Sequence, residues 1–119
     1  ACRYAMNSVV DWHVTAKGAH AMASALGLAA LSAHQKLIMR TTQHHQASTT
    51  TSSLLIKGLV TDNGFLDFAG LIHIAPDAAQ SSAHQENKNM LFSDTAQARS
   101  IPSLEALNND LQCSHASAT

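Results

Sequence analysis

Short apolar runs recur at near-regular intervals along the second half of the chain. Each run is too short for an ordinary helix and is flanked by turn-forming residues, so each predicts a β-strand. The predicted strands are residues 53–60, 65–74, 89–92 and 104–113. Turn signals separate them at Asp62-Asn63-Gly64, Pro76-Asp77, Ser93-Asp94 and Pro102. In the second run His73 alternates with Ile72 and Ile74, so its side chain is expected on the opposite face.

The first third of the chain has a different pattern. Residues 18–38 are rich in alanine, the strongest helix former. Positions at helical spacing are Met22, Leu26, Ala30 and Ala33. The pattern predicts an amphipathic helix interrupted at Gly27. Residues 41–53 then become rich in Ser and Thr, whose hydroxyls compete for backbone hydrogen bonds and so disfavour a long helix.

The spacing of the strands bears on how they are connected. After Lys57 no segment is long enough for the helix of a βαβ crossover, and Asn63-Gly64 is a single Asn-Gly turn rather than one of a repeated hairpin series. Short strands at a near-regular period are typical of a parallel solenoid, with a β-sandwich as the alternative. The length of 119 residues fits one domain. The spacing therefore predicts an all-β fold over residues 1–119, with the parallel solenoid and the sandwich both open at this point and with helix expected in residues 18–38.

Composition excludes several classes of function. The net charge is -1 and only 13% of residues are charged, which disfavours nucleic-acid binding and attachment to an anionic membrane surface. No apolar run approaches the ~20 residues that span a bilayer. The two cysteines, Cys2 and Cys113, are too few for a disulfide framework, so a reducing compartment is expected.

Several ordered motifs suggest a family. Residues 70–115 contain Ala83-His84-Gln85 followed by Asn87 and Asn89, then "MLFSD", then Cys113-Ser114-His115. Upstream stand His45, Thr50, Ser52 and Lys57-Gly58. In these motifs the chain resembles the core domain of the SufB/SufD scaffolds of the SUF iron–sulfur assembly system. The "HQ.NKN.L.SD" run and the "CSH" triplet resemble the SufD type rather than SufB.

The resemblance implies a right-handed parallel β-helix with a non-catalytic role in iron–sulfur cluster assembly. It implies a SufB-like partner and a SufC-like ATPase, the latter bound through helical segments absent from this chain, which would make the chain a core fragment or a short relative. An iron–sulfur cluster is expected only transiently and within that complex. The expected location is the cytoplasm, or the plastid stroma in a eukaryote. The isolated chain is expected to dimerise end to end or edge to edge, or to aggregate, because a solenoid cut from its neighbours exposes unpaired strand edges.

Cys113 and His115 are the candidate metal ligands. They are two residues apart, so on a strand they share a face. Two ligands are too few for a closed site, and Cys is often simply a small buried hydrophobe. The resemblance implies that His115 contributes to a cluster shared with the partner, with Cys113 as the weaker candidate. Cys2 receives no assignment.

Two further pairs are interpreted without metal chemistry. His44 and His45 are adjacent, so on a strand they face opposite sides and do not ligate one ion together. We expect them to be solvated or hydrogen-bonded. Asn87 and Asn89 share a face and are expected to form a structural amide ladder.

The alternative function is a carbohydrate-active parallel β-helix enzyme. Such an enzyme needs paired carboxylates, for which the candidates are Asp62, Asp67 and Asp77. It also commonly uses aromatic surfaces, whereas aromatic residues make up only 4% of this chain. A Cys–His hydrolase would pair Cys113 with His84 or His73. No catalytic residue is assigned on these grounds.

Overall fold

The computed structural model describes residues 7–119, and these form eight β-strands and no helix. The strands are β1 (Asn7–Ala16), β2 (Met22–Leu31), β3 (Lys36–His45), β4 (Thr51–Val60), β5 (Phe65–Ile74), β6 (Ser81–Leu91), β7 (Gln97–Ala106) and β8 (Leu111–Ala118). All ladders are parallel and build sheet A, in the order β1-β3-β5-β7, and sheet B, in the order β2-β4-β6-β8. Successive strands alternate between the sheets, so the chain winds as a parallel β-solenoid with two strands in each of about four turns. The predicted all-β solenoid is confirmed.

The core lies between the two sheets. Along β5 every second residue is fully buried, as expected for a strand with one face toward the interior. The apolar centre contains Leu54, Ile56, Leu66 and Phe68, each at most 3% exposed. The inward residues of β7 are more exposed, because β7 is the last strand of sheet A and has a neighbour on only one side.

The helix predicted in residues 18–38 is wrong, because this region contains strand β2. Its inward positions include Ala25 and Gly27, which pair in register with Leu54 and Ile56 of β4. The ladder to β4 satisfies the backbone of β2, and the small residues of β2 lie beside the large side chains of the neighbouring strand in the same sheet. Tertiary pairing therefore overrides the helix preference of alanine.

The predicted strand boundaries have mixed outcomes. Residues 65–74 match β5 at both ends, and residues 53–60 lie within β4. Residues 89–92 only overlap the end of the longer strand β6. The prediction of one strand at residues 104–113 is wrong, because this range contains the end of β7, a turn and the start of β8. The turn predicted at Pro102 is wrong as well, because this residue lies inside β7, where an edge strand tolerates its missing N–H.

Glycines make room for amide side chains that point inward from β6. Asn87 and Asn89 exchange two hydrogen bonds of 3.0 Å inside the solenoid, so the predicted shared face and structural role agree with the fold. A Cβ added at Gly58 would lie 2.5 Å from Asn89 Oδ1. The amide pair and the glycine of the neighbouring strand therefore depend on each other.

Left-handed residues stack at the corners. His20, Thr49 and Gln80 occupy one corner, with φ of 65°, 57° and 58°. Ala33 and Asp62 occupy the other, with φ of 50° and 54°. Hydrogen bonds between successive turns support this conformation, including one of 2.9 Å from Ala33 N to Asp62 Oδ2. Stacking thus compensates the cost of the left-handed region for side chains other than glycine.

Candidate metal-ligating site on the last strand

Cys113 and His115 both lie on β8, at the edge of sheet B. In register they pair with Ala83 and Gln85 of β6, two positions that are buried in the interior. Burial along β8 alternates, with Cys113 and His115 half-buried and Ser114 exposed between them. The two candidate ligands therefore share a face, and that face is the inward one.

The His115 imidazole has an unmet hydrogen-bonding group. Its Nδ1 is buried and has no partner among the described residues. Burial lowers the pKa of His115, and nearby His84 lowers it further. The ring is therefore neutral at neutral pH, which is the form that binds metals.

The Cys113 thiol is a poorer ligand in this setting. Burial raises its pKa, and a hydrogen bond with the Ala83 backbone offsets this only in part. The thiol packs against a buried cluster that includes Ile72 and Ile74. Since the thiolate is the form that binds metals, Cys113 behaves first as a small core residue.

These two side chains do not complete a metal site. On a strand their Cα atoms are roughly 6.6 Å apart, a separation compatible with a shared ion or cluster. Within residues 7–119 no group of three or more His, Cys, Asp or Glu side chains is arranged to hold a metal ion. A cluster bound here needs further ligands from outside the described residues.

His84 lies on the other face of sheet B. Its Nδ1 is 2.6 Å from Ser114 Oγ, and its Nε2 is 3.7 Å from a carboxylate oxygen of Glu86. The other carboxylate oxygen of Glu86 is 3.3 Å from Lys88 Nζ. The contact between His84 and Ser114 was not predicted from the sequence. It follows from the parallel pairing of β6 and β8, which places these two residues side by side.

The motif formed by His45, Thr50 and Ser52 is a buried polar network. His45 is fully buried, with its Nδ1 2.7 Å from Thr50 Oγ1 and its Nε2 2.7 Å from Ser52 Oγ. Gln43 Nε2 donates to the same Ser52 oxygen at 2.8 Å and to the His84 carbonyl at 3.1 Å. The motif therefore joins the two sheets inside the solenoid.

The surrounding donors assign the tautomer of His45. Thr50 donates its hydroxyl proton to the Ala47 carbonyl at 3.0 Å, so its oxygen accepts from His45 Nδ1–H. Ser52 accepts from Gln43 and donates its own proton to the unprotonated Nε2. Burial lowers the pKa of His45, with His44 as a second cause. Every hydrogen bond of this ring is therefore satisfied in the neutral state.

His44 faces outward, opposite to His45, as predicted. Its ring meets the ring of His73 edge-on, with centroids 4.5 Å apart. His73 Nδ1 is 3.3 Å from Glu105 Oε2 on the next strand. Burial lowers the pKa of His44, and His73 adds to the effect. His73 thus points away from the core, as its alternation with two isoleucines predicts.

The carboxylates considered for a carbohydrate-active enzyme do not converge. Asp62 and Asp77 lie beyond opposite ends of the ten-residue strand β5, so roughly 30 Å separates them. Asp67, on the outer face of β5, accepts two hydrogen bonds from Arg99 of 3.1 and 2.6 Å. Arg99 lowers the pKa of Asp67. Asp67 is therefore bound in an ion pair and is not available as a catalytic acid.

The pairs considered for a Cys–His hydrolase do not form either. Cys113 points inward, whereas His84 and His73 lie on the outer faces of sheets B and A. The raised pKa of Cys113 also disfavours the nucleophilic thiolate. Cys2, which received no assignment, lies outside the described residues.

A search of residues 7–119 for a helix of the length and hydropathy needed to cross a bilayer finds none.

The family model described as "SUF system FeS cluster assembly, SufBD core domain" matches residues 4–119. The chain is similar to the iron-sulfur cluster assembly protein SufD of Escherichia coli (strain K12), with 36% identity over 64 residues. That match covers 54% of this chain and only 15% of the length of the relative.

Proposed function

Because the chain belongs to the SufBD core domain family of the SUF iron–sulfur cluster assembly system, we propose that it forms the core of a SufD-type scaffold. The family places the domain in iron–sulfur cluster assembly, where it is a scaffold and generally non-catalytic. In the proposed role, His115 supplies one ligand to a cluster at an interface with a SufB-like subunit. The cluster is the cargo of this machinery.

The observation that carries the proposal is the unpartnered Nδ1 of the neutral His115 imidazole. A buried nitrogen without a partner costs free energy, and a metal bond or a partner's donor would relieve that cost. Imidazole replaces thiolate at some irons of iron–sulfur clusters. Because Cys113 is the only neighbouring candidate on the same face among residues 7–119, most ligands must come from the partner.

The position of β8 favours such an interface. β8 is the last strand of sheet B, and its outer edge is unpaired among residues 7–119. Unpaired edges are templates for strands of other chains. A SufB-like subunit at this edge would approach the inward face that carries His115. The same unpaired edge of β8 is the basis for the proposed dimerisation of the isolated chain.

The remaining parts of the proposal extend beyond this chain. A SufC-like ATPase would bind through helical segments outside the sequence, and the complex would work in the cytoplasm or in a plastid stroma. Cys113 is a second candidate ligand, but its raised pKa and its packing favour a contribution to stability. We assign no catalytic residue and no resident cofactor.

The experiment is anaerobic reconstitution with iron and sulfide, using this core within a full-length SufD-type chain and its SufB-like partner. We expect the native complex to develop iron–sulfur absorbance and the His115→Ala complex to lose most of it. The chain alone should retain little iron or sulfide. Cys113→Ala should impair assembly less and lower the free energy of unfolding more.

The control variant is His73→Ala, which removes a half-buried histidine from the outer face of sheet A. It should reconstitute like the native complex, and circular dichroism should show that both variants fold. Size-exclusion chromatography should show that both still bind the partner. Normal cluster formation by a folded, partner-bound His115→Ala complex would refute the role of this side chain.

A further inference from the structure

A cavity of about 160 Å³ lies between the sheets in the first two turns of the solenoid, and it is partly open to solvent because two of its lining residues, Val10 and Leu26, are exposed. Strands β1 to β4 all contribute to its wall. Its lining includes Val10, Trp12, Ala25, Met39, Thr41 and Ile56. The cavity is far along the solenoid from β8, so it is separate from the proposed ligand site.

The cavity follows from the small inward residues of β2. Ala25 and Gly27 face the interior at positions where β4 contributes Leu54 and Ile56. A large side chain at either β2 position would occupy the space between the sheets. The alanine-rich segment therefore forms a strand that leaves room beside the Trp12 ring.

Thr41 contributes the hydroxyl in a lining whose other side chains are aliphatic or belong to Met39 and Trp12. Thr41 is 3% exposed, and its Oγ1 has no hydrogen-bond partner among the described residues. A buried water usually needs two to four polar partners, so one hydroxyl would hold it poorly. A molecule with an apolar body and a single hydrogen-bonding group suits the lining better.

We propose that this cavity binds a small monocyclic aromatic molecule that carries one hydroxyl group. An apolar protein cavity of ~150 Å³ is large enough for benzene, which sets the size class of the ligand. The ring would lie beside Trp12, where aromatic pairs gain attraction beyond burial of area. The ligand hydroxyl would bond Thr41 Oγ1, and that bond distinguishes a phenol from a plain hydrocarbon.

The probes are phenol and toluene, which have similar rings but differ in the hydroxyl. Trp12 is the only tryptophan of the chain, so its fluorescence reports directly on occupancy. We expect a saturable fluorescence change with phenol and a dissociation constant on the order of 1 mM or tighter. Calorimetry on the same 119-residue chain should give the same constant. Toluene should bind more weakly.

Two pairs of variants test the assignment. Ala25→Leu fills the cavity and should abolish saturable binding, whereas the matched control Ala30→Leu, on the exposed face of the same strand, should keep it. Thr41→Val should reduce the preference for phenol over toluene by about threefold to tenfold, the value of one neutral hydrogen bond. The control Thr42→Val, on the outward face, should leave the preference unchanged.

Circular dichroism checks that each variant folds. If Ala25→Leu does not fold, Val10→Phe fills the cavity from its rim and takes its place. The absence of a saturable change in Trp12 fluorescence up to the solubility limit of phenol would overturn the proposal. Unchanged binding in a folded, filled variant would overturn it as well, and so would an unchanged phenol preference in Thr41→Val.

Discussion

Removing one hydroxyl from the interior should destabilise the solenoid strongly. Ser52 is 3% exposed and bonds both His45 Nε2, at 2.7 Å, and Gln43 Nε2, at 2.8 Å. In Ser52→Ala, Gln43 keeps its bond to the carbonyl of His84, but His45 Nε2 loses its one partner among the described residues. The variant therefore leaves one fully buried acceptor unsatisfied.

The cost follows from that single acceptor. A buried group left without its hydrogen bond costs about 1–3 kcal/mol, so we expect the free energy of unfolding to fall by about 2 kcal/mol. This is a large part of the 5–15 kcal/mol that is typical of a domain. Urea unfolding followed by circular dichroism measures the change. The matched control is Ser53→Ala, on the outward face of the same strand, which should change stability by less than about 0.5 kcal/mol.

A double variant separates the network from simple loss of packing. His45→Leu with Ser52→Ala removes the buried Nε2 acceptor together with its donor, so its cost should be well below the sum of the two single variants. If Ser52→Ala and Ser53→Ala have equal stability, the buried network is not a source of stability. Additive single variants would equally refute the coupling of the two side chains.

Two other predictions concern close packing and protonation. Gly58→Ala should lower the free energy of unfolding by about 2 kcal/mol in urea titrations, because the new Cβ would meet Asn89, whereas Gly18→Ala, with open space around its Cα, should be nearly neutral. The second prediction follows from the pKa of His45 and His115, both lowered by burial from 6.5. Below pH 6.5 the unfolded chain binds protons that the folded chain excludes, so stability should be complete above pH 6.5 and fall as pH drops through the lower folded values. Urea titrations across this range should show a weaker pH dependence for His45→Gln, and an unchanged slope would contradict the assignment.

Strand β5 was predictable from sequence at both ends, whereas strand β2 was not. In β5 the inward positions are mostly large and apolar, and turn residues flank both ends of the strand. The alternation of inward and outward residues is therefore visible in the sequence. In β2 the inward positions before Leu31 are alanine or glycine, while the exposed positions include Met22, Leu26 and Leu28. The usual relation between hydrophobicity and burial is reversed there, and alanine adds a preference for helix.

The pairing of strands was beyond local pattern reasoning for a different reason. Each strand pairs with the strand two elements later, for example Asn7 with Lys36 and Phe65 with Gln97. Periodicity within a strand reports which residues share a face but carries no information on so distant a partner. The prediction of a single strand at residues 104–113 failed for this reason. A short polar turn lies within this range, and the residues on its two sides belong to strands of different sheets.

The candidate ligands show what such pairing adds to a motif. From sequence, Cys113 and His115 share a face, but only the register assigns that face to the interior. Leu54, Gln85 and His115 occupy equivalent inward positions of β4, β6 and β8. His115 is therefore the next member of a buried column, and it stays half-exposed because β8 is an edge strand. A partner that covered this edge would bury the His115 imidazole, and it would supply further ligands to the cluster at the same time. In the proposed role, docking of the partner and completion of the ligand set are thus one event, which accounts for an incomplete site on this chain.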